Sequence, residues 1–258
     1  VYIGEDNLTL RSSSGPDQPV IEFPADPGEA QGKTNQLVEI RDASGVTVDG
    51  FDIDLAGGKV VYANPGEGLS FLNNSVTISP ASDHGIRMDD SGGAPTVVQR
   101  NEFTFSDGSS DSVNSQAILF SGGSDYVIED NVLNGPGKDA PSPDEANIGI
   151  LISVQADTSG ADVLDNDISG FNQGIFLFEN PPDSEISGIL IENNEISSAE
   201  TGIRADDLDE DGSGFTGLNG EDDDATAQQT ALENANTFAA SVDTNVQIAV
   251  PTSETTPS

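Results

Sequence analysis

An asparagine held in a fixed apolar frame recurs five times in this chain, and nothing else in it constrains the fold as strongly. The frames are Leu69/Phe71/Asn74/Val76, Thr96/Val98/Asn101/Phe103, Tyr126/Ile128/Asn131/Leu133, Ala161/Val163/Asn166/Ile168 and Ile189/Ile191/Asn194/Ile196. Mostly apolar residues stand five and three positions before the Asn and two positions after it. Successive Asn lie 27, 30, 35 and 28 residues apart, and Asp49, with Val46 and Phe51, offers an earlier slot 25 residues upstream. A period of this size, with alternation inside each unit, marks stacked supersecondary units around one long core.

A second track runs in phase with the first and is usually opened by Gly-Ile: Ile86/Met88, Ile118/Phe120, Ile150/Ile152, Ile175/Leu177 and Ile203/Ala205. Alternate residues of a strand share a face, so these pairs are expected to line the interior. Each unit then holds at least two short strands and a turn, with no helical period between them. Short strands repeated without helices stack in parallel only by coiling into a β-solenoid. The slot Asn is expected at a corner, in left-handed backbone geometry and bonded to the Asn of the next coil. Polar bends and small cores need few aromatics, and only 5% of the residues are aromatic.

The segments VTVDGFDI (46–53), YVIEDNVLN (126–134), ADVLDNDISG (161–170) and GILIENNEIS (188–197), with their Gly-Ile partners, resemble right-handed parallel β-helix repeats. They are most similar to the NosD-like and pectate-lyase-like superfamily, over about residues 5 to 206. The resemblance implies an all-β fold, a right-handed parallel β-helix of about 6–8 coils. That superfamily contains lyases, hydrolases, epimerases and adhesins, so the likeness implies a scaffold rather than a reaction.

Charge narrows the setting. There are 46 acidic residues against 8 basic ones, a formal charge of −38. The lysines are Lys33, Lys59 and Lys138 alone. Such self-repulsion destabilises a compact chain at ordinary ionic strength. In molar salt the Debye length falls to about 3 Å and most of the repulsion disappears. The chain therefore reads as a protein of a salt-loving organism, and its similarity to haloarchaeal sequences implies an archaeon. Nucleic acid and anionic membranes, which carry the same sign of charge, are poor partners. There is no cysteine, hence no disulfide or thiolate metal site. No run of 18 apolar residues occurs, so no membrane span is expected. The first residue is Val1 and Met88 is the one methionine, which suggests a processed or trimmed N-terminus. Sequons at Asn7 and Asn73, with a Ser/Thr/Pro-rich tail at 251–258, point to export and an extracellular or cell-surface location.

Four parts are legible: irregular first coils (1–45), regular coils (46–206), an acidic loop, helix and last strand (207–250), and the polar tail (251–258). The helix is expected over 225–242, as a cap on the open end of the solenoid. From slot Asn to the following Gly-Ile position the distances are 11, 16, 18, 8 and 8 residues. The long insertions, 104–116 and 134–147, fall between the same two tracks and are expected to build a ligand or partner surface. The N-terminal coil begins almost directly in strand-like sequence, and an open edge there would template pairing with another copy.

His84, in SDHGIRMDD (82–90), with Asp83 and Arg87, forms the one candidate set for catalysis. The repeat weakens it, because Thr201 and Gln173 hold the place of His84 in other coils. Arg87 and Arg204 are expected to partner Asp89-Asp90 and Asp206-Asp207. Polygalacturonase-like hydrolases carry an Asn-Thr-Asp, a paired Asp, a Gly-His-Gly and an Arg-Ile-Lys; here only Asp83-His84-Gly85 and Asp89-Asp90 echo that set, in the wrong order. A metal site has a better motif. Asp207, Asp209 and Asp211 with Gly212 match the first half of a calcium loop, and Glu221 is placed to close it, since position 12 is Leu218. The function expected is a structural, adhesive or glycan-binding surface module, with polysaccharide or cell-surface glycan as partner. A polysaccharide-active enzyme and a self-assembling filament or surface-layer subunit are the alternatives.

Overall fold

The Asn frame holds two strands, not one, because the Asn itself sits at a bend between them. The computed structural model of the chain describes residues 2–12, 20–22, 36–55, 59–64, 68–78, 84–91, 94–106, 115–138, 147–179, 186–206, 215–220 and 224–249. The strands before each bend form sheet B: Thr9–Arg11, Thr47–Asp49, Ser70–Leu72, Thr96–Gln99, Tyr126–Glu129, Asp162–Leu164 and Leu190–Glu192. Those after it form sheet C: Val20–Glu22, Asp52–Leu55, Ser75–Ile78, Glu102–Phe105, Val132–Asn134, Asp167–Ser169, Glu195–Ser197 and Thr237–Phe238. The Gly-Ile track forms sheet A: Tyr2–Ile3, Gln36–Arg41, Lys59–Asn64, His84–Ser91, Gln116–Ser124, Ile148–Ser159, Gln173–Glu179, Thr201–Asp206 and Thr244–Ala249. Every pairing between successive coils is parallel. The described residues thus make eight coils and a last strand of sheet A, wrapped around one continuous apolar core.

Alternation decides which side chains enter that core. In sheet A Ile86, Met88, Ile118, Phe120, Ile150 and Ile152 are buried, as the second track requires. Sheet B sends in Val48, Phe71, Val98, Ile128, Val163 and Ile191, and sheet C sends in Val76, Phe103, Leu133, Ile168 and Ile196. Where sheet C turns into sheet A the backbones come too close for a side chain. A Cβ on Gly174 would stand 2.6 Å from the Gly202 carbonyl oxygen, and one on Gly149 would stand 2.6 Å from that of Gly174. This close approach is why the track so often opens with Gly.

The slot Asn are buried and form a ladder. Asn101 Nδ2 donates to Asn131 Oδ1 (3.0 Å), Asn131 Nδ2 to Asn166 Oδ1 (3.0 Å), and Asn166 Nδ2 to Asn194 Oδ1 (2.9 Å). Each Asn also donates to a sheet B carbonyl, Asn131 to Val98 and Asn166 to Ile128. The backbone geometry differs from the expectation. The left-handed residue is the one before the slot: Asn73, Arg100, Asp130, Asp165 and Asn193 have φ between 54° and 57°. The ladder Asn is left free to point inward, and its exposed predecessor makes the bend. The earlier slot also shifts. Thr47–Asp49 pairs with Ser70–Leu72, so Gly50 (φ 82°) takes the bend and Phe51, whose N–H donates to Asn74 Oδ1, takes the slot; Asp49 lies two residues outside it.

The helix α1 runs from Ala225 to Ala235 and stops short of the expected 242. Asp224 caps it, accepting from the N–H groups of Thr226 (2.9 Å) and Ala227 (3.3 Å). Asn236 ends it by rejoining the ladder: Asn194 Nδ2 donates to Asn236 Oδ1 (2.9 Å), and Asn236 Nδ2 donates to the Leu232 and Ile191 carbonyls. Thr237–Phe238 then continues sheet C. The helix occupies the place of a sheet B strand in the last coil and buries Gln228 and Leu232 against the core. Asn219 completes the closure, because its side-chain amide pairs with both the N–H and the carbonyl of Ile191.

Candidate functional site

The outward face of sheet A departs from the polar pattern that alternation would give. Arg87, Leu119, Leu151, Phe176 and Arg204 are register partners on five successive strands. Beside them runs a second outward row, Asp89, Ser121, Ser153, Phe178 and Asp206. The middle of this face is apolar, and Leu119 is only 6% exposed. Phe176 and Phe178 are half-buried, with ring centroids 5.5 Å apart. The rim is charged but internally matched. Arg87 Nε donates to Asp89 Oδ1 (2.7 Å) and Arg204 Nε to Asp206 Oδ1 (2.8 Å). Arg41 pairs with Glu39 in the same two-residue spacing. The Arg204 guanidinium also stacks over the Phe176 ring at 5.0 Å, and that of Arg41 over Tyr62 at 5.7 Å. Arg87 and Arg204 do partner Asp89 and Asp206, as the repeated IRMDD and IRADD runs suggest.

Of the catalytic candidates, His84 and Arg87 stand at positions of opposite parity on one sheet A strand. His84 opens its sheet A strand and is in register with Gln116, which is followed in successive coils by Ile148, Gln173, Thr201 and Thr244. The column has no chemical theme. Arg87 is turned to Asp89, and Asp83 lies outside the described residues. So do Asp207, Asp209, Asp211 and Glu221 of the calcium motif, and the tips of both long insertions, 107–114 and 139–146. Those insertions leave and rejoin the solenoid where sheet C passes into sheet A, beside the apolar face. Lys138, at the edge of the second, reaches both Asp243 oxygens (2.9 and 3.0 Å). Among the described residues no three His, Cys, Asp or Glu side chains gather as a metal site.

The sequon asparagines both sit at exposed bends with positive φ, 56° for Asn7 and 54° for Asn73. Asn73 Nδ2, the atom a glycan would use, donates to Asp49 Oδ1 (2.8 Å), and its Oδ1 accepts from Arg100 Nε (3.0 Å). These three belong to the B–C corner, where Asn73, Arg100, Glu102, Asp130 and Val132 line a shallow groove. No described helix is long and apolar enough to cross a membrane.

With three parallel sheets, an internal Asn ladder and a helix at the C-terminal end, the geometry matches one family. A family model described as "Right handed beta helix region" matches residues 36–246. The chain belongs to the right-handed β-helix family. No curated protein and no solved structure matches it. The family model covers coils from the second strand of sheet A to the last, so the β-helix here is right-handed throughout the matched span.

Two features of this β-helix escaped the periodic reading. The outward apolar row lies in strands where both parities are apolar, ILF (118–120), ILI (150–152) and IFLF (175–178), against IRM (86–88) and IRA (203–205) elsewhere. Attention to the positions between the core pairs would have found it. The sixth ladder rung, Asn236, is followed by Phe238 two positions on, but the helix puts Glu233 where the frame wants an apolar residue.

Proposed function

We propose that this chain is an exported, cell-surface β-helix module of a salt-adapted organism, and that it binds glycan across the outer face of sheet A. The right-handed β-helix fold is a structural or polysaccharide-related scaffold. The observation that carries the finer reading is the apolar row Leu119, Leu151 and Phe176 with Phe178 beside it. An outward-pointing row of this kind, half-buried at Leu151 and Phe176 and buried at Leu119, bordered by serines and paired ions, is read as an interaction site. Strands about 4.8 Å apart present a flat, regularly spaced platform, and sugar rings stack their CH faces on aromatic faces.

Binding is favoured over catalysis because Arg87 and Arg204 stand four strands apart, each held by its own aspartate. Stacking of copies into a filament is less favoured, because α1 and Asn219 occupy the C-terminal end of sheet B. The Asp207/Asp209/Asp211 motif is proposed as an accessory Ca²⁺ loop. The test is retention of the protein on a panel of insoluble polysaccharides in molar KCl, with assay of released sugar. Retention without release, abolished by Leu151→Asp, supports the reading. Release of oligosaccharide would make the chain an enzyme, and retention on none of the panel would overturn it.

A further inference from the structure

We infer that the glycan taken by this face is uncharged, and that the platform discriminates against uronate and sulfated chains. The inference rests on the binding reading above and adds the ligand's charge class. It is carried by how the described arginines of sheet A are charge-matched. A polyanion needs guanidinium or ammonium groups whose charge is not already matched by a neighbouring carboxylate. Arg41, Arg87 and Arg204, the described arginines of this sheet, are each bonded to a carboxylate two residues away on the same strand. Two of the three also stack on an aromatic ring, Arg41 on Tyr62 and Arg204 on Phe176. Lys138, at the neighbouring corner, is held by Asp243. The remaining described arginines, Arg11 and Arg100, lie on sheet B and at its bend, on another face.

The whole-molecule field points the same way. At −38 the chain repels a polyanion before contact, and each local ion pair contributes no net positive charge to offset this. Molar salt screens that repulsion as well, so there the contrast rests on the local contacts. In molar salt ionic recognition is screened to within about 3 Å, whereas apolar contact is not weakened by screening. An aromatic and aliphatic platform with matched ions therefore suits a neutral polymer, and in salt it retains the contacts that matter.

Affinity electrophoresis in molar KCl, with soluble neutral glucans, mannans and chitin oligomers run beside polygalacturonate, alginate and chondroitin sulfate, tests this on the full chain. The expected result is retardation by at least one neutral polymer, by none of the anionic ones, and a loss of about tenfold in affinity for Phe176→Ala. Phe178→Ser serves as the second variant, and both should keep the parent's far-ultraviolet circular dichroism because the two rings point away from the core. Retardation by anionic polymers, weakened by Arg87→Gln or Arg204→Gln, would overturn the neutral assignment while leaving the platform in place. Neutral binding that survives both Phe variants would place the site elsewhere and overturn the platform itself.

Discussion

At the scale of single residues, Asn131 shows how much one side chain holds. Its Oδ1 accepts from both the N–H and the Nδ2 of Asn101, and its Nδ2 bridges the Val98 carbonyl and Asn166 Oδ1. Alanine there would strand a buried amide N–H and a buried carbonyl, each costing about 1–3 kcal/mol. We expect Asn131→Ala to lose about 3–4 kcal/mol in urea unfolding at molar KCl. Asn131→Asp should be worse, since the carboxylate cannot donate to either partner and is buried unpaired. Arg100 gives the opposite case. It is the one long side chain among Asn73, Asp130, Asp165 and Asn193 in the left-handed bend positions. Asparagine tolerates that geometry better, so Arg100→Asn should stabilise by about 0.5–1 kcal/mol in the same assay. A stability equal to or below the parent's would mean that the Arg100–Asn73 bond outweighs the strain.

At the scale of elements, the close contact between sheets C and A and the terminal helix are the two sensitive places. Gly174→Ala would push a methyl into a carbonyl oxygen and Ile196 Cγ2 of the next coil, neither of which can swing away. We expect a loss of about 1–3 kcal/mol, seen as a lower thermal midpoint. Leu232 is the one fully buried apolar side chain of α1. Leu232→Ala should cost about 2–5 kcal/mol and detach the helix from the last coil. Hydrogen exchange reads that locally, since the amides of Ile191 and Asn194 depend on Asn219 and Asn236 for their acceptors. If those amides stay as protected as in the parent, the helix is not what closes the solenoid.

At the scale of the whole molecule, the charge is the controlling quantity. The outward columns repeat acids in register, as with Asp167 and Glu195 on sheet C, at the spacing of adjacent strands. Strands about 4.8 Å apart keep such like charges within one Debye length until salt becomes molar. The surface ion pairs are few and contribute little each. A thermal melt is therefore expected to move up by about 10 °C from tenth-molar to molar KCl, equivalent to a few kcal/mol for a domain of this size. An unchanged midpoint would remove the salt-adapted reading.

How much of this was readable in the chain differs by level. The solenoid, its core pairs and its Asn ladder follow from local chemistry repeated in register: an apolar frame with a period of two and an amide that can both donate and accept. Such patterns survive in one dimension because each coil repeats the same environment. The position of the left-handed residue did not follow, because Asn is suited to both the bend and the ladder, and Asn73-Asn74 and Asn193-Asn194 place one in each. Only the packing of Asn74, Asn101 and Asn131 against sheet B carbonyls separates the two. Asn236 and Asn219 as end closures were likewise invisible, since their partner Ile191 lies 45 and 28 residues away, the helix breaks the period before Asn236, and Asn219 has Gly214, Thr216 and Glu221 where the frame wants apolar residues. The platform on sheet A needed the register above all. Leu119, Leu151 and Phe176 are 32 and 25 residues apart in the chain, and only strand pairing makes them neighbours on the outward side of one sheet.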